Sequence, residues 1–195
     1  VQTCALPILL RAMRARAPGV ELQLVPFDYR PTTRHFDREI DFVILPGRLA
    51  DPSLGHAKLY IEQLGVMVGR THPLAKTDEI TVADYCAGAH AALFDEADML
   101  APRTGPIADI LARRMVVART ASYAAMPLMV IDTDLMVTAS LRYGQYCASI
   151  MDLAALAFPV QAENVEIAVQ WHPSRGKEPM IRWFVGLLQE MVTSI

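Results

Sequence analysis

Histidines are the side chains of this sequence whose surroundings most suggest chemistry. His172 ends an alternating apolar stretch and stands between Trp171 and Pro173, where it could be a catalyst, a metal ligand, a ligand-binding residue or a structural residue. His90, in the stretch GAHAALF, could be a hydrogen-bonded core residue or a contact of a binding pocket. An imidazole titrates near neutral pH and can bond a phenol or a carboxylate, but a single histidine is more often a hydrogen-bonded core residue.

Carboxylates and thiols give weaker signals. Residues 95–98 (DEAD) follow a predicted strand, where they could form a general acid–base pair, but carboxylates also suit the first turn of a helix, and we favour that interpretation. Cys4, Cys86 and Cys147 are odd in number and lack CxxC spacing, which indicates neither a disulfide framework nor a zinc site. The sequence contains no nucleophile elbow or phosphate loop, so we predict a protein that is not an enzyme and has no cofactor.

The composition predicts a globular α/β protein. The 195 residues are 53% hydrophobic and 20% charged, which suffices for a buried core. The formal net charge is −3, so this segment lacks the basic surface with which proteins bind nucleic acid. The N-terminal apolar run has arginines on the wrong side of it for a signal peptide, and no apolar run approaches the roughly 20 residues of a membrane span. We expect a cytoplasmic protein.

Alternating helices and strands predict a first lobe. A helix over residues 6–17 ends at Pro18 and Gly19, and a strand follows at residues 20–26. A polar helix at residues 30–39 leads to residues 41–46 (DFVILP), which are apolar on both faces, as in a parallel strand between layers of helices. This order predicts a doubly wound unit.

A second round of alternation predicts a second lobe. After two strand pieces at 57–69 and a turn at 72–75, strands and helices alternate as far as residue 159. A last strand and a helix with an apolar stripe from Met180 to Met191 then return to the first lobe. We therefore predict subdomain I at residues 1–69 and 164–195 and subdomain II at residues 70–163. Two crossovers join these subdomains, with a cleft between them.

Strand ends are the expected binding positions in such a fold, because ligands of open α/β sheets bind beyond the carboxyl ends of the strands. The candidates are Phe27, Asp28, Pro46, Gly47, Arg48, Phe94, Asp95, Thr120 to Tyr123, Thr138 and His172.

Over nearly its whole length the chain resembles the effector-binding domain of LysR-type transcriptional regulators. The resemblance is carried by the order and spacing of LPILLRAMRARAPGVELQL, DFVILP, THPLA and QWHPSRGKEPMIRWF. Within the family, DFVILP, DYCAGAH, DTDLMVTA and QWH are most similar to nodulation-gene activators and salicylate-responsive regulators. That branch responds to aromatic inducers.

The resemblance implies two Rossmann-like subdomains joined by two crossover strands, as in type II periplasmic binding proteins. It implies a regulator that binds a small aromatic effector in the inter-lobe cleft and forms a homodimer or homotetramer through residues 5–17 and a second-lobe helix of the partner. A winged helix-turn-helix and the first strand are expected upstream of Val1, and DNA binding belongs to that part. The alternative is a solute-binding protein of a transporter, which shares the architecture.

The resemblance also implies which residues line the effector site. They are Gln2, Thr3, Cys4, Phe27, Arg48, His90, Phe94, Ser122, Tyr123 and Thr138. The first three would offer a helix N-terminus to an anionic group. His90 matches a histidine that contacts the inducer in the salicylate-responsive branch, where Ser122 often has a histidine as its counterpart. Arg48 and Arg142 could supply the counter-charge to a carboxylate.

Overall fold

A computed structural model describes residues 6–25, 36, 40–94, 105–161 and 165–192. The chain divides into two compact units, unit 1 (Val1–Ile61 with Val165–Ile195) and unit 2 (Glu62–Asn164). The helices are α1 (Leu6–Arg16), α2 (Val82–Ala87), α3 (Pro106–Ala112), α4 (Leu141–Ile150) and α5 (Pro179–Val192). The strands are β1 (Val43–Pro46), β2 (Gly55–Glu62), β3 (Leu64–Gly69), β4 (Ala89–Leu93), β5 (Met115–Thr120), β6 (Leu135–Ser140), β7 (Leu153–Ala157) and β8 (Val165–Trp171). No helix in these ranges has the length and apolar character to cross a membrane.

Unit 1 has a three-stranded sheet with the order β1-β8-β2. Its core is formed where α1 and α5 pack on β8: Leu9 and Phe184 are buried around Val169, and the rings of Phe42 and Phe184 lie 4.6 Å apart between centroids. Trp171 packs at the margin of this cluster. The prediction that the last strand and helix return to the first lobe is confirmed.

Two predictions for unit 1 are wrong. Residues 20–25 alternate between apolar and polar side chains but form no strand, and most of them are exposed. The alternating pattern is not sufficient, because a strand forms only where a neighbouring strand supplies hydrogen bonds. Strand β1 runs antiparallel to β8, with Val43 opposite Gln170, whereas its two apolar faces predicted a parallel strand. The polar helix predicted at residues 30–39 lies outside the described residues except at Phe36.

Unit 2 has a five-stranded sheet with the order β5-β4-β6-β3-β7. Strand β4 is parallel to β5 and to β6, whereas β3 is antiparallel to β6 and to β7. All residues of β3 are buried because it has a neighbour on each side and a covered surface on each face. The predicted second round of strands and helices is present, except that Tyr123–Met129 forms a 3-10 helix with Pro127 inside it.

The boundary between the units differs from the predicted boundary by one strand. The predicted boundary assigns β3 to the first lobe, but the hydrogen-bonded neighbours of β3, β6 and β7, belong to unit 2. Sequence proximity to β2 suggested the wrong assignment, because Gln63 is the sole residue between the two strands. Unit 2 therefore begins at Glu62.

Candidate functional site

Three parallel strands of unit 2 bring several predicted site residues to one edge of the sheet. The carboxyl ends of β4, β5 and β6 lie at this edge, which we call the carboxyl edge, because β4 runs parallel to both of its neighbours. Phe94 follows β4, and its backbone N–H donates to the carbonyl of Thr120 at 3.1 Å. Its ring is 63% exposed. A large aromatic side chain in this position is available to a ligand.

Ser122 and Tyr123 reach the same edge after β5. The N–H of Ser122 donates to Oγ1 of Thr120 at 3.0 Å, while its side chain is exposed. The hydroxyl oxygen of Tyr123 accepts from the N–H of Ser140 at 3.0 Å, which ties the segment after β5 to the end of β6. The ring of Tyr123 packs on that of Tyr143, with centroids 4.9 Å apart. This edge thus combines aromatic surface with hydroxyl groups.

His90 lies in the interior of unit 2 instead. Its side chain is fully buried, Nε2 donates to the carbonyl of Tyr85 at 2.7 Å, and its ring packs edge-on against the Tyr85 ring. Burial lowers the pKa of His90 to about 4, the charge of Arg114 acts in the same direction, and the bond to Tyr85 opposes them. The imidazole is therefore neutral at pH 7, with the proton on Nε2. Nδ1 has no hydrogen-bond partner in the described part of the chain.

Thr138 belongs to the same buried polar cluster. Its Oγ1 bonds the hydroxyl of Tyr85 and accepts from Nη1 of Arg114 at 3.3 Å. The side chain of Thr138 has no exposed surface. The structure therefore separates the predicted site residues of unit 2 into an exposed set at the carboxyl edge and a buried pair, His90 and Thr138. Effector contact by the buried pair stays a prediction.

Glu62 is a polar residue at the carboxyl edge that the sequence reading did not select. It precedes β3, whose first residue, Leu64, lies opposite Ser140 at the end of β6. Glu62 is only 5% exposed, and its Oε1 accepts from the N–H of Gln63 at 3.0 Å. Burial raises the pKa of its carboxyl, and it is opposed by hydrogen bonds from Ser140, Gln63 and the backbone of Arg142 and by the charge of Arg142. The available signal was a glutamate at the end of β2, two residues before the wholly apolar strand β3.

The remaining predicted site residues fall in unit 1 or outside the described ranges. Arg48 is exposed in the 3-10 helix Gly47–Leu49. Gln2, Thr3, Cys4 and Phe27 lie outside the described residues, as do residues 95–98.

His172 has a local structural role. Its Nδ1 accepts from the N–H of Ser174 at 3.3 Å and caps the 3-10 helix Pro173–Arg175. His72 does the same for Leu74 at 3.1 Å, before the 3-10 helix Pro73–Lys76. Both His-Pro pairs therefore stabilise turns.

No metal centre is evident in the ranges that the structure describes. They contain no group of three or more His, Cys, Asp or Glu side chains placed to hold a metal ion. Cys86 and Cys147 carry free thiols, and burial raises the pKa of Cys147. A raised pKa disfavours the reactive thiolate, so Cys147 behaves as a small buried apolar residue.

The two α/β units and the open strand-end edge of unit 2 define a ligand-binding regulatory domain with the type II periplasmic-binding-protein fold. Residues 1–193 match the family model of the LysR substrate binding domain, and the chain belongs to this family. The resemblance noted in the sequence is thereby confirmed.

Two curated relatives illustrate the similarity. The chain is 27% identical over 190 residues to the HTH-type transcriptional regulator SyrM of Rhizobium meliloti, covering 93% of this chain and 56% of that protein. It is 27% identical over 179 residues to Nodulation protein D 1 of Rhizobium tropici, covering 90% and 57% of the two chains. The chain thus spans somewhat more than half the length of these relatives.

Solved structures support the fold. The regulatory domain of MexT, a transcriptional activator in Pseudomonas aeruginosa, superposes with a TM-score of 0.79 at 22% identity, over 98% of this chain and 94% of that one. The regulatory domain of NMB2055 (MetR) from N. meningitidis gives a TM-score of 0.72 at 12% identity, over 98% and 88%. At these identities the likeness concerns the fold alone.

Proposed function

We propose that this domain senses a small aromatic effector in the cytoplasm and transmits its binding to an attached DNA-binding domain. The effector binds at the carboxyl edge of unit 2. It shifts the regulator between two arrangements only to the extent that the effector binds one of them more tightly than the other. The observation that carries this proposal is the exposed ring of Phe94 at an edge that also holds Ser122 and Tyr123. Relatives described as transcriptional regulators support the regulatory role.

Replacing Phe94 by alanine is expected to weaken effector binding at least tenfold. The ring offers apolar contact to an aromatic compound, and its loss removes about 1.4 kcal/mol or more of binding free energy. Because the side chain is 63% exposed, the free energy of unfolding should change little. Isothermal titration with a panel of aromatic acids and flavonoids measures the affinity, and urea denaturation measures the stability.

Met115→Ala is the matched control. Met115 is also a large exposed apolar residue, at 57%, but it begins β5 and therefore lies at the opposite edge of the same sheet. Its replacement should leave the affinity unchanged. Failure of the whole panel to bind the wild-type chain would refute the proposed function, and equal affinities of wild type and Phe94→Ala would remove Phe94 from the site.

The family further leads us to propose a homodimer or homotetramer in which α1 meets a helix of the partner's second lobe. Leu10 lies on the exposed side of α1, at 48%, whereas Leu9 and Met13 face the core. Leu10→Glu is expected to raise the dimer dissociation constant at least tenfold. In an isologous interface α1 of both protomers takes part, so association buries the new charge on each of them. Sedimentation equilibrium measures this constant.

Leu24→Glu provides the comparison, since Leu24 is also a large exposed apolar residue of unit 1, at 58%, but belongs to no helix and so lies outside the proposed interface. It should dimerise like the wild type. A Leu10→Glu variant that is folded by circular dichroism and associates as tightly as the wild type contradicts the proposed interface.

A further inference from the structure

Glu62 is an acidic side chain that is almost completely buried yet incompletely hydrogen-bonded. Its Oε1 accepts from Gln63, while Oε2 has no hydrogen-bond partner among the residues that the structure describes. A buried oxygen without a partner loses its hydration and gains nothing in exchange, so folding alone does not explain why it is there. A ligand that donates a hydrogen bond to Oε2 would supply the missing partner.

The position of Glu62 links it to the proposed effector site. Leu64, two residues later, lies opposite Ser140, and the N–H of Leu141 donates to the carbonyl of Gln63 at 2.8 Å. The N–H of Ser140 in turn donates to the hydroxyl oxygen of Tyr123. A continuous series of backbone and side-chain bonds therefore joins Glu62 to the aromatic part of the carboxyl edge.

The groups around Glu62 restrict what could bond its free oxygen. Burial is the largest influence and raises the pKa of the Glu62 carboxyl, whereas the hydroxyl of Ser140, the N–H groups of Gln63 and Arg142 and the charge of Arg142 act in the opposite direction and favour the carboxylate form. An ionised carboxylate only accepts hydrogen bonds, and it repels another anion. A hydroxyl group satisfies it by donating one hydrogen bond, whereas an ether oxygen has no hydrogen to donate.

We propose that Oε2 of Glu62 accepts a hydrogen bond from a hydroxyl group of the effector, so that the site selects a hydroxylated aromatic compound over its methyl ether. This inference rests on the proposed function, because it concerns the same site. It gives Glu62 a role in specificity that differs from the counter-charge role considered for Arg48 and Arg142: the group held at Glu62 is neutral.

The test compares matched pairs of compounds: a hydroxyflavone with the corresponding methoxyflavone, and salicylate with its O-methyl ether. Isothermal titration of the wild-type chain is expected to show at least tenfold tighter binding of the hydroxylated member of the pair that binds. In Glu62→Met, which has similar size but cannot accept this bond, the ratio of the two dissociation constants should fall close to one. A structural role alone would weaken both compounds equally and leave the ratio unchanged.

Glu79→Met is the matched control, because Glu79 is an exposed glutamate of the same unit, and it should retain the wild-type ratio. Equal binding of both members of a pair by the wild type overturns the inference without any variant, so the test holds even where Glu62→Met does not fold. An unchanged ratio in folded Glu62→Met also overturns it. If the wild type binds the hydroxylated compound and its methyl ether equally well, the inference about Glu62 is refuted but the proposed function is not. If no compound binds, the proposed function and the inference are both refuted.

Discussion

Lowering the pH from about 6.5 to about 4 is expected to reduce the free energy of unfolding by about 3 kcal/mol through His90 alone. The pKa of His90 is about 4 in the folded chain, against an ordinary value of 6.5. The unfolded chain therefore takes up a proton in this range and the folded chain does not. The contribution of His90 is fully present above pH 6.5 and is lost as the pH falls towards 4.

The physical cause is that protonation would place a charge on a fully buried ring. The added proton would sit on Nδ1, which has no acceptor in the described part of the chain, and the charge of Arg114 would repel it. Urea denaturation at a series of pH values measures the effect. His90→Gln keeps a donor for the carbonyl of Tyr85 and removes the titration, so its stability should fall less over this range.

The difference between the two proteins isolates His90 from other groups. Glu62, whose pKa is raised by burial, acts in the opposite direction, because its folded form binds the proton more tightly than the unfolded form. Both proteins contain Glu62, so its contribution cancels. His56→Gln is the control, since His56 is exposed, and its profile should follow that of the wild type. Parallel profiles of wild type and His90→Gln would show that the pKa of His90 is the same in the folded and unfolded chain, which contradicts the prediction.

Gly69→Ala is expected to lower the free energy of unfolding by about 3 kcal/mol, the upper range for forcing extra volume into a packed interior. Gly69 ends the buried strand β3, and a β-carbon there would overlap the carbonyl oxygen of Val130. That oxygen belongs to the backbone, so it cannot move aside as the end of a side chain could. Denaturation in urea compares the variant with the wild type.

Gly186→Ala is the matched control. Gly186 lies within α5, and a β-carbon there would meet no atom within 4 Å. Alanine favours the helix over glycine by about 0.8 to 1 kcal/mol, so this variant should be more stable than the wild type. The same substitution is thus expected to have opposite signs at the two positions. Equal stabilities of Gly69→Ala and wild type would mean that the backbone near Val130 yields to the added methyl group.

Local patterns predicted most elements of unit 2, because the strands there are short apolar runs between turns. Pro106 marks the start of α3 as expected, since a helix does not need the N–H that proline lacks at its first position. Pairing between distant strands could not be predicted in the same way. Strand β1 is apolar on both faces, yet whether it meets a parallel or an antiparallel neighbour depends on β8, more than a hundred residues later.

The residues of the candidate site also differ in whether local patterns or contacts between distant segments determine their positions. Strand-end topology predicted Phe94, Ser122 and Tyr123 at one edge, and the parallel pairing of β4 and β5 places them there. Alternation alone could not show that a helix covers the face of His90, so contact with an effector and a buried position stood as equal alternatives. A charged residue beside a strand is ordinarily exposed to solvent, so the sequence does not single out Glu62. Its 5% exposure and its hydrogen bond with Ser140, far away in sequence, are properties of the folded chain.

The middle position of β8 in the sheet of unit 1 has a consequence for synthesis on the ribosome. Within the described part of unit 1, strands β1 and β2 are made early and are joined through β8, which is translated after the whole of unit 2. Unit 2 is continuous in sequence and can fold as soon as it emerges, since domains generally fold as units. In unit 1, β1, β2 and α1 therefore stay without their partners until β8 and α5 have been synthesised. The nascent chain is therefore most exposed to aggregation and proteolysis during this interval.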